Sequence, residues 1–81
     1  MRYYIIRDSK GSNNIIAIHK TPESSTLTFN EYIQNGHFIN YLELMCIITD
    51  DNGLTMNTEM LSSYSKYTNH TIIYKKIEDT I

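Results

Sequence analysis

A short pattern occurs twice in this chain. Ile5-Ile6-Arg7-Asp8-Ser9-Lys10-Gly11 reads Ile-Ile-x-Asp-x-x-Gly, and Ile47-Ile48-Thr49-Asp50-Asp51-Asn52-Gly53 repeats it 42 residues later. Paired isoleucines are β-branched and fit a pleated, half-buried surface. An Asp at the first turn position accepts hydrogen bonds from the backbone ahead of it, and a Gly at the last adopts positive φ without strain. Each copy therefore predicts a strand running into a hairpin, with a type I turn closed by a glycine bulge. The pattern constrains the chain to antiparallel β-structure. It also raises an internal duplication, although hairpin turns converge on Asp and Gly for steric reasons alone.

The rest of the chain is read around these two anchors. Residues 2–7 alternate as a strand, and Ile15-Ile16-Ala17-Ile18-His19 supplies its hairpin partner. Thr21-Pro22-Glu23-Ser24-Ser25 reads as a loop, because Pro and Ser disfavour regular structure. Thr28 with Glu31 three residues on forms a capping-box pattern, Phe29, Tyr32 and Ile33 follow at helical spacing, and Asn35-Gly36 is a stop. That predicts a helix of about two turns. Residues 38–49 carry apolar stripes in both periods, but the Ile-Ile-Thr end decides for a strand from about residue 41, with Leu42, Leu44, Cys46 and Ile48 on one face. Leu54-Thr55-Met56 reads as a short return strand. Thr58 then caps a second predicted helix with Met60, Leu61, Tyr64 and Tyr67 on one side. Thr71–Ile77 closes as a strand and residues 78–81 form a frayed tail. The expected fold is α+β: two β-hairpins and a closing strand in ββα-ββα-β order, one domain over residues 1–77, with two short helices on one sheet face.

Size and charge narrow the function classes. A chain of 81 residues buries about 60–65% of its unfolded surface and leaves little room for a deep pocket. Seven basic and nine acidic residues give a formal charge of -2, too weak a field to favour nucleic acid or anionic lipid by charge alone. The single Cys46 allows no internal disulfide and, in an apolar run, fits a reducing cytoplasm. The apolar stretch near residue 5 is too short for a signal peptide, and no run reaches the roughly 18–20 apolar residues of a membrane span. The sequon Asn69-His70-Thr71 is thus expected to go unused. Thirteen Ile and eight Asn against no Val and no Trp indicate an AT-rich gene. Such composition fits a low-GC bacterium, one of its phages, or an archaeal virus.

No catalytic or cofactor motif survives inspection. Aligning Gly53 with the sixth position of a calcium loop puts Asp50, Asn52 and Glu59 at ligand positions, but Ile48 falls at the first, and the flanks read as strands. His19, His37 and His70 lack metal-ligand spacing. Cys46 falls on the predicted core side, where a thiolate nucleophile is disfavoured. The expectation is no metal, no cofactor and no catalytic residue.

What is left is surface chemistry. Seven tyrosines exceed what so small a core absorbs, and tyrosine is enriched at protein interfaces. Tyr41, Tyr64 and Tyr67, with the acidic turn Asp50 and Asp51, are the expected protein-interface residues. The size, the composition and the Tyr3-Tyr4-Ile5-Ile6 start resemble short accessory proteins of phages in style. The expected function is a non-enzymatic module that acts in a host cytoplasm by docking on a host protein and inhibiting or modulating it. A homodimer is expected through an edge strand, either Tyr3–Arg7 or Thr71–Ile77. The alternative is a small nucleic-acid binder in which Arg2, Arg7, Lys10, Lys20, Lys75 and Lys76 gather beside tyrosines that stack bases.

Overall fold

The structure, a computed structural model, describes all residues except 9–13, 37, 39 and 76–81. It is a five-stranded antiparallel sheet with one helix: β1 (Arg2–Asp8), β2 (Ile15–His19), α1 (Pro22–Asn35), β3 (Tyr41–Thr49), β4 (Thr55–Ser65) and β5 (His70–Ile73). The strand order is β2-β1-β3-β4-β5. The molecule is therefore a small α+β domain, as the sequence predicts. The element order is ββαβββ, and the second predicted helix does not form: Thr58 to Ser65 belong to β4, the longest strand.

The second Ile-Ile-x-Asp-x-x-Gly copy folds as its chemistry requires. The Asp50 carboxylate accepts from the Asn52 and Leu54 amides, both at 2.9 Å. Gly53 donates to the Asp50 carbonyl at 3.1 Å and sits at φ +83°. A Cβ at Gly53 would meet nothing within 4 Å, so only the backbone conformation demands glycine. Gly53→Ala should cost about 1–2 kcal/mol, read as a lower urea midpoint with an unchanged slope. The first copy's turn lies mostly outside the described residues, though Asp8 N–H does reach the Asn14 carbonyl at 3.0 Å.

The helix starts seven residues earlier than its capping-box pattern predicts. Thr21 is the N-cap, accepting from Ser24 N–H at 3.3 Å, and Pro22 takes the first turn. The Pro read as a loop marker is a helix starter, since its missing N–H would be unpaired there anyway. Ser25 and Thr26 direct their hydroxyls back to the Pro22 carbonyl, so the Ser/Thr run is accommodated inside the helix. Gly36 ends it in the left-handed region, its N–H on the Tyr32 carbonyl.

The core lies between the helix and one sheet face. Tyr4, Ile6, Phe29, Phe38, Leu42, Leu44, Cys46 and Leu61 form it, with Ile16, Ala17, Tyr32, Ile33, Ile48 and Tyr64 packed around them. Three bulges adjust the register, one of them between Ile48 and Thr49 near the β3–β4 turn, and the other two shape the core. One between Ile6 and Arg7 opposite β2 lets both Ile16 and Ala17 reach this core. Another, between Leu44 and Met45 opposite β4, makes Leu61 the extra residue and buries it completely. A bulge inserts one residue against a partner strand and shifts the alternation beyond it. The helix packs chiefly on β1, β2 and β3. At the far side of the sheet all of β5 is exposed, as are Thr55–Thr58 of β4.

Candidate functional site

Cross-strand partners share a sheet face, so the register sorts the side chains. One row crosses the whole face opposite the helix: Ile15, Arg7, Glu43, Ser63 and Ile72. At its centre Arg7 Nη2 donates to Glu43 Oε1 at 2.9 Å, with Glu43 only 3% exposed. Arg7 Nε is buried without a hydrogen-bond partner. A buried charge is tolerated only when paired, and this pair sits on the sheet face opposite α1. Around it lie Ile5, Met45 and Met60 in the next row, with Ile18 at the β2 end.

The β4–β5 wing concentrates exposed apolar surface. Of the ten exposed large apolar side chains among the described residues, six fall between residues 54 and 74: Leu54, Met56, Tyr67, Ile72, Ile73 and Tyr74. Register places Ile72 on the open face and Ile73 on the helix side, so the wing is apolar on both surfaces. On its open face a cleft of about 120 Å³ lies over Glu43, bordered by Tyr41, Met60, Ser63, Ser65, His70, Ile72 and Tyr74. Ser63 and Tyr74 hydroxyls are 3.2 Å apart there.

The predicted interface residues separate into two places. Tyr41 and Tyr67 meet at the wing end of the sheet, ring centroids 5.9 Å apart. Tyr64 faces the helix side, edge-on to Phe38 at 5.7 Å, and its hydroxyl donates to Asn69 Oδ1. Lys66 Nζ donates to the Gly36 and Phe38 carbonyls and lies over the Phe38 ring, so this corner is pinned down. Asp50 and Asp51 lie at the other end of β3, in the β3–β4 turn. The sequence reasoning missed Glu43, Ile72, Ile73 and Met56. A lone carboxylate inside the apolar run Tyr41–Ile48 was the signal for Glu43, since a buried acid must find a cation.

Among the described residues the candidate nucleic-acid side chains Arg2, Arg7, Lys20 and Lys75 fall in different settings. Arg7 is held by Glu43, and Lys75 by Glu59 at 2.9 Å. Arg2 and Lys20 border a shallow depression of about 590 Å³ near the start of α1. Lys10 and Lys76 lie outside the described residues. The expected edges also need correction. Tyr3–Arg7 belongs to β1, which is paired on both sides, so the sheet edges are β2 and β5 together with the outer side of β4. That outer side is guarded: Asn57 Oδ1 takes the Thr58 N–H at 2.9 Å, and its Nδ2 reaches Glu59. Side-chain capture of edge amides removes a template for further strand pairing.

The histidines and the cysteine also have defined places. His19 ends β2 and His70 opens β5, while His37 lies outside the described residues. Among the described residues no three of His, Cys, Asp and Glu converge as a metal group. The β3 and β4 strands flank Asp50 where a calcium loop would need helices, and its carboxylate is spent on the turn. Cys46 is fully buried beside Tyr4. Burial pushes its thiol above the ordinary value, with the Glu59 charge acting in the same direction against Arg2, Lys75 and the Tyr4 hydrogen bond. A thiol raised in the folded state stabilises the fold below the ordinary thiol range and loses that contribution as pH rises through it. A disulfide reagent should therefore label native Cys46 far more slowly than the urea-unfolded chain, and urea midpoints should fall above about pH 8.5 in the wild type but not in Cys46→Ala.

Among the described residues no helix is long and apolar enough to cross a membrane. What the fold and surface define is a small α+β domain whose sheet is covered by one helix and whose far wing is apolar and open. In comparison with known proteins, no family model matches this chain, and no match was found among curated proteins or solved structures.

Proposed function

We propose that this chain is a non-enzymatic protein-binding module that docks on a partner through the β4–β5 wing. The observation that carries the reading is the exposure of four large apolar side chains in and beside β5: Tyr67, Ile72, Ile73 and Tyr74. Exposed apolar surface concentrated at one edge of a small domain marks an interaction site, and aromatic residues such as Tyr67 and Tyr74 are the residues that anchor one. Neutralisation of Arg7 and Lys75 by carboxylates supports a protein partner over nucleic acid. The AT-rich composition supports an origin in a phage or mobile element, with a host cytoplasmic protein as the partner and modulation of that protein as the effect.

The test is capture from a low-GC bacterial lysate, with nuclease present, using three baits. The wild type and Leu27→Asp, a change on the exposed helix surface, should both retain one stoichiometric protein. Ile73→Asp should lose it by at least about tenfold. Capture that survives Ile73→Asp but fails in Leu27→Asp would move the site to the helix. Recovery of nucleic acid alone in a parallel sample without nuclease would replace the reading with the basic-residue alternative.

A further inference from the structure

We propose that β5 pairs antiparallel with β5 of a second copy of this chain, about a two-fold axis through Ile72; the proposal goes beyond the docking reading and does not depend on it. The direction of the β5 amides carries the argument. Tyr74 N–H donates to the Leu61 carbonyl at 2.9 Å, and the β4–β5 register sets Ser63 opposite Ile72. Alternate residues of an antiparallel strand direct their N–H and C=O groups to the same neighbour. Ile72, next but one before Tyr74, therefore turns its backbone groups to β4. Thr71 and Ile73 turn theirs outward, where no strand lies among the described residues. A two-fold axis that joins antiparallel strands in one sheet runs perpendicular to it and sets residues of the same face opposite each other. With the axis at Ile72, Thr71 of each copy meets Ile73 of the other, and each such pair exchanges both N–H···O=C bonds. The outward groups are thus the ones that the symmetry brings together. Ile72 meets its own copy on the face opposite α1, His70 comes opposite Tyr74, and Lys75 comes opposite Asn69, so no like charges oppose. Ile72 and Ile73 are 53% and 67% exposed, and pairing covers part of each. The other edges are less open. β2 carries its bulge at Ile16, which interrupts the outer ladder, and the Asn57 side chain takes an amide on the outer side of β4. The segment His70–Ile73 contains no Lys, no Pro and no bulge to guard it.

The test is sedimentation equilibrium of the full chain. An edge this short makes a small interface, so the wild type should pass from monomer to dimer between about 10 and 500 µM. Thr71→Pro removes an outward N–H and leaves the β4 ladder intact, as proline on the open side of an edge strand does. It should stay monomeric throughout that range, with circular dichroism matching the wild type. Because proline can disturb the fold, a second pair of variants tests the axis itself through an exposed side chain. Ile72→Lys alone and Ile72→Glu alone place like charges opposite each other and should each weaken association at least about fivefold. An equimolar mixture of the two places opposite charges there and should associate more tightly than either alone. A wild type that stays monomeric to about 500 µM would overturn the dimer, as would folded Thr71→Pro that still dimerises. A mixture that associates no better than its components would overturn the axis at Ile72. In each case, partner capture that is lost in Ile73→Asp would leave the docking reading in place.

Discussion

Replacing Arg7 with methionine should destabilise the fold by about 3–5 kcal/mol, whereas R7M/E43M should be as stable as the wild type or more so. The difference follows from what each change leaves behind. In the single variant the Glu43 carboxylate stays 3% exposed with its 2.9 Å partner removed. In the double variant the charges go together, and two methionines of comparable length join Ile5, Met45 and Met60 on the same face. Against a total stability of about 4–12 kcal/mol for a chain this size, the single change consumes much of the margin. Urea unfolding of the two single variants and the double closes the cycle. A single variant within about 0.5 kcal/mol of wild type would mean that water screens the pair, as it does at exposed ion pairs.

The second large effect is expected at Leu61. Leu61→Ala should cost about 2–5 kcal/mol, because it removes a completely buried side chain that neighbouring groups cannot replace. Leu61 is the only β4 residue in the core cluster, and it enters through a bulge. Its carbonyl also receives the Tyr74 and Lys75 amides where the chain leaves β5. The change should therefore loosen the wing as well as the core, and near-ultraviolet circular dichroism from Tyr64 should weaken alongside the urea midpoint. A loss below about 1 kcal/mol would show that the sheet closes over the gap.

The same bulge explains where the sequence misleads. Met60, Leu61, Tyr64 and Tyr67 sit at helical spacing, and that spacing predicts a helix. In the sheet the extra residue at Leu61 shifts the alternation, so strand positions imitate a 3.6-residue period. Serines 62, 63 and 65 give little helix propensity to resist, and long-range pairing with β3 wins. The start of α1 was hidden for another reason: Thr21-Pro22 serves equally as a loop or as an N-cap followed by the first turn, and only the Thr21 to Ser24 contact tells them apart. By contrast, β1, β2 and β3 were legible because their Ile-rich runs meet turn residues whose chemistry has one sterically cheap solution. The candidate site was legible only in its aromatic part. Tyr41 and Tyr67 stand out by residue type, while Ile72 and Ile73 read as ordinary strand residues until the topology puts them on an edge.

One helix lying over only part of the sheet divides the protein into regions that open at different free energies. Amides of β1 and β3, flanked by strands and packed under α1, should exchange with solvent deuterium only when the whole chain unfolds. Those of β5, a four-residue exposed edge held by β4, should exchange through a much smaller opening. A partner seated on the wing would slow that second class and leave the first almost unchanged. The margin of the sheet would then be completed by whatever binds it, and its amides would report occupancy before any activity is known.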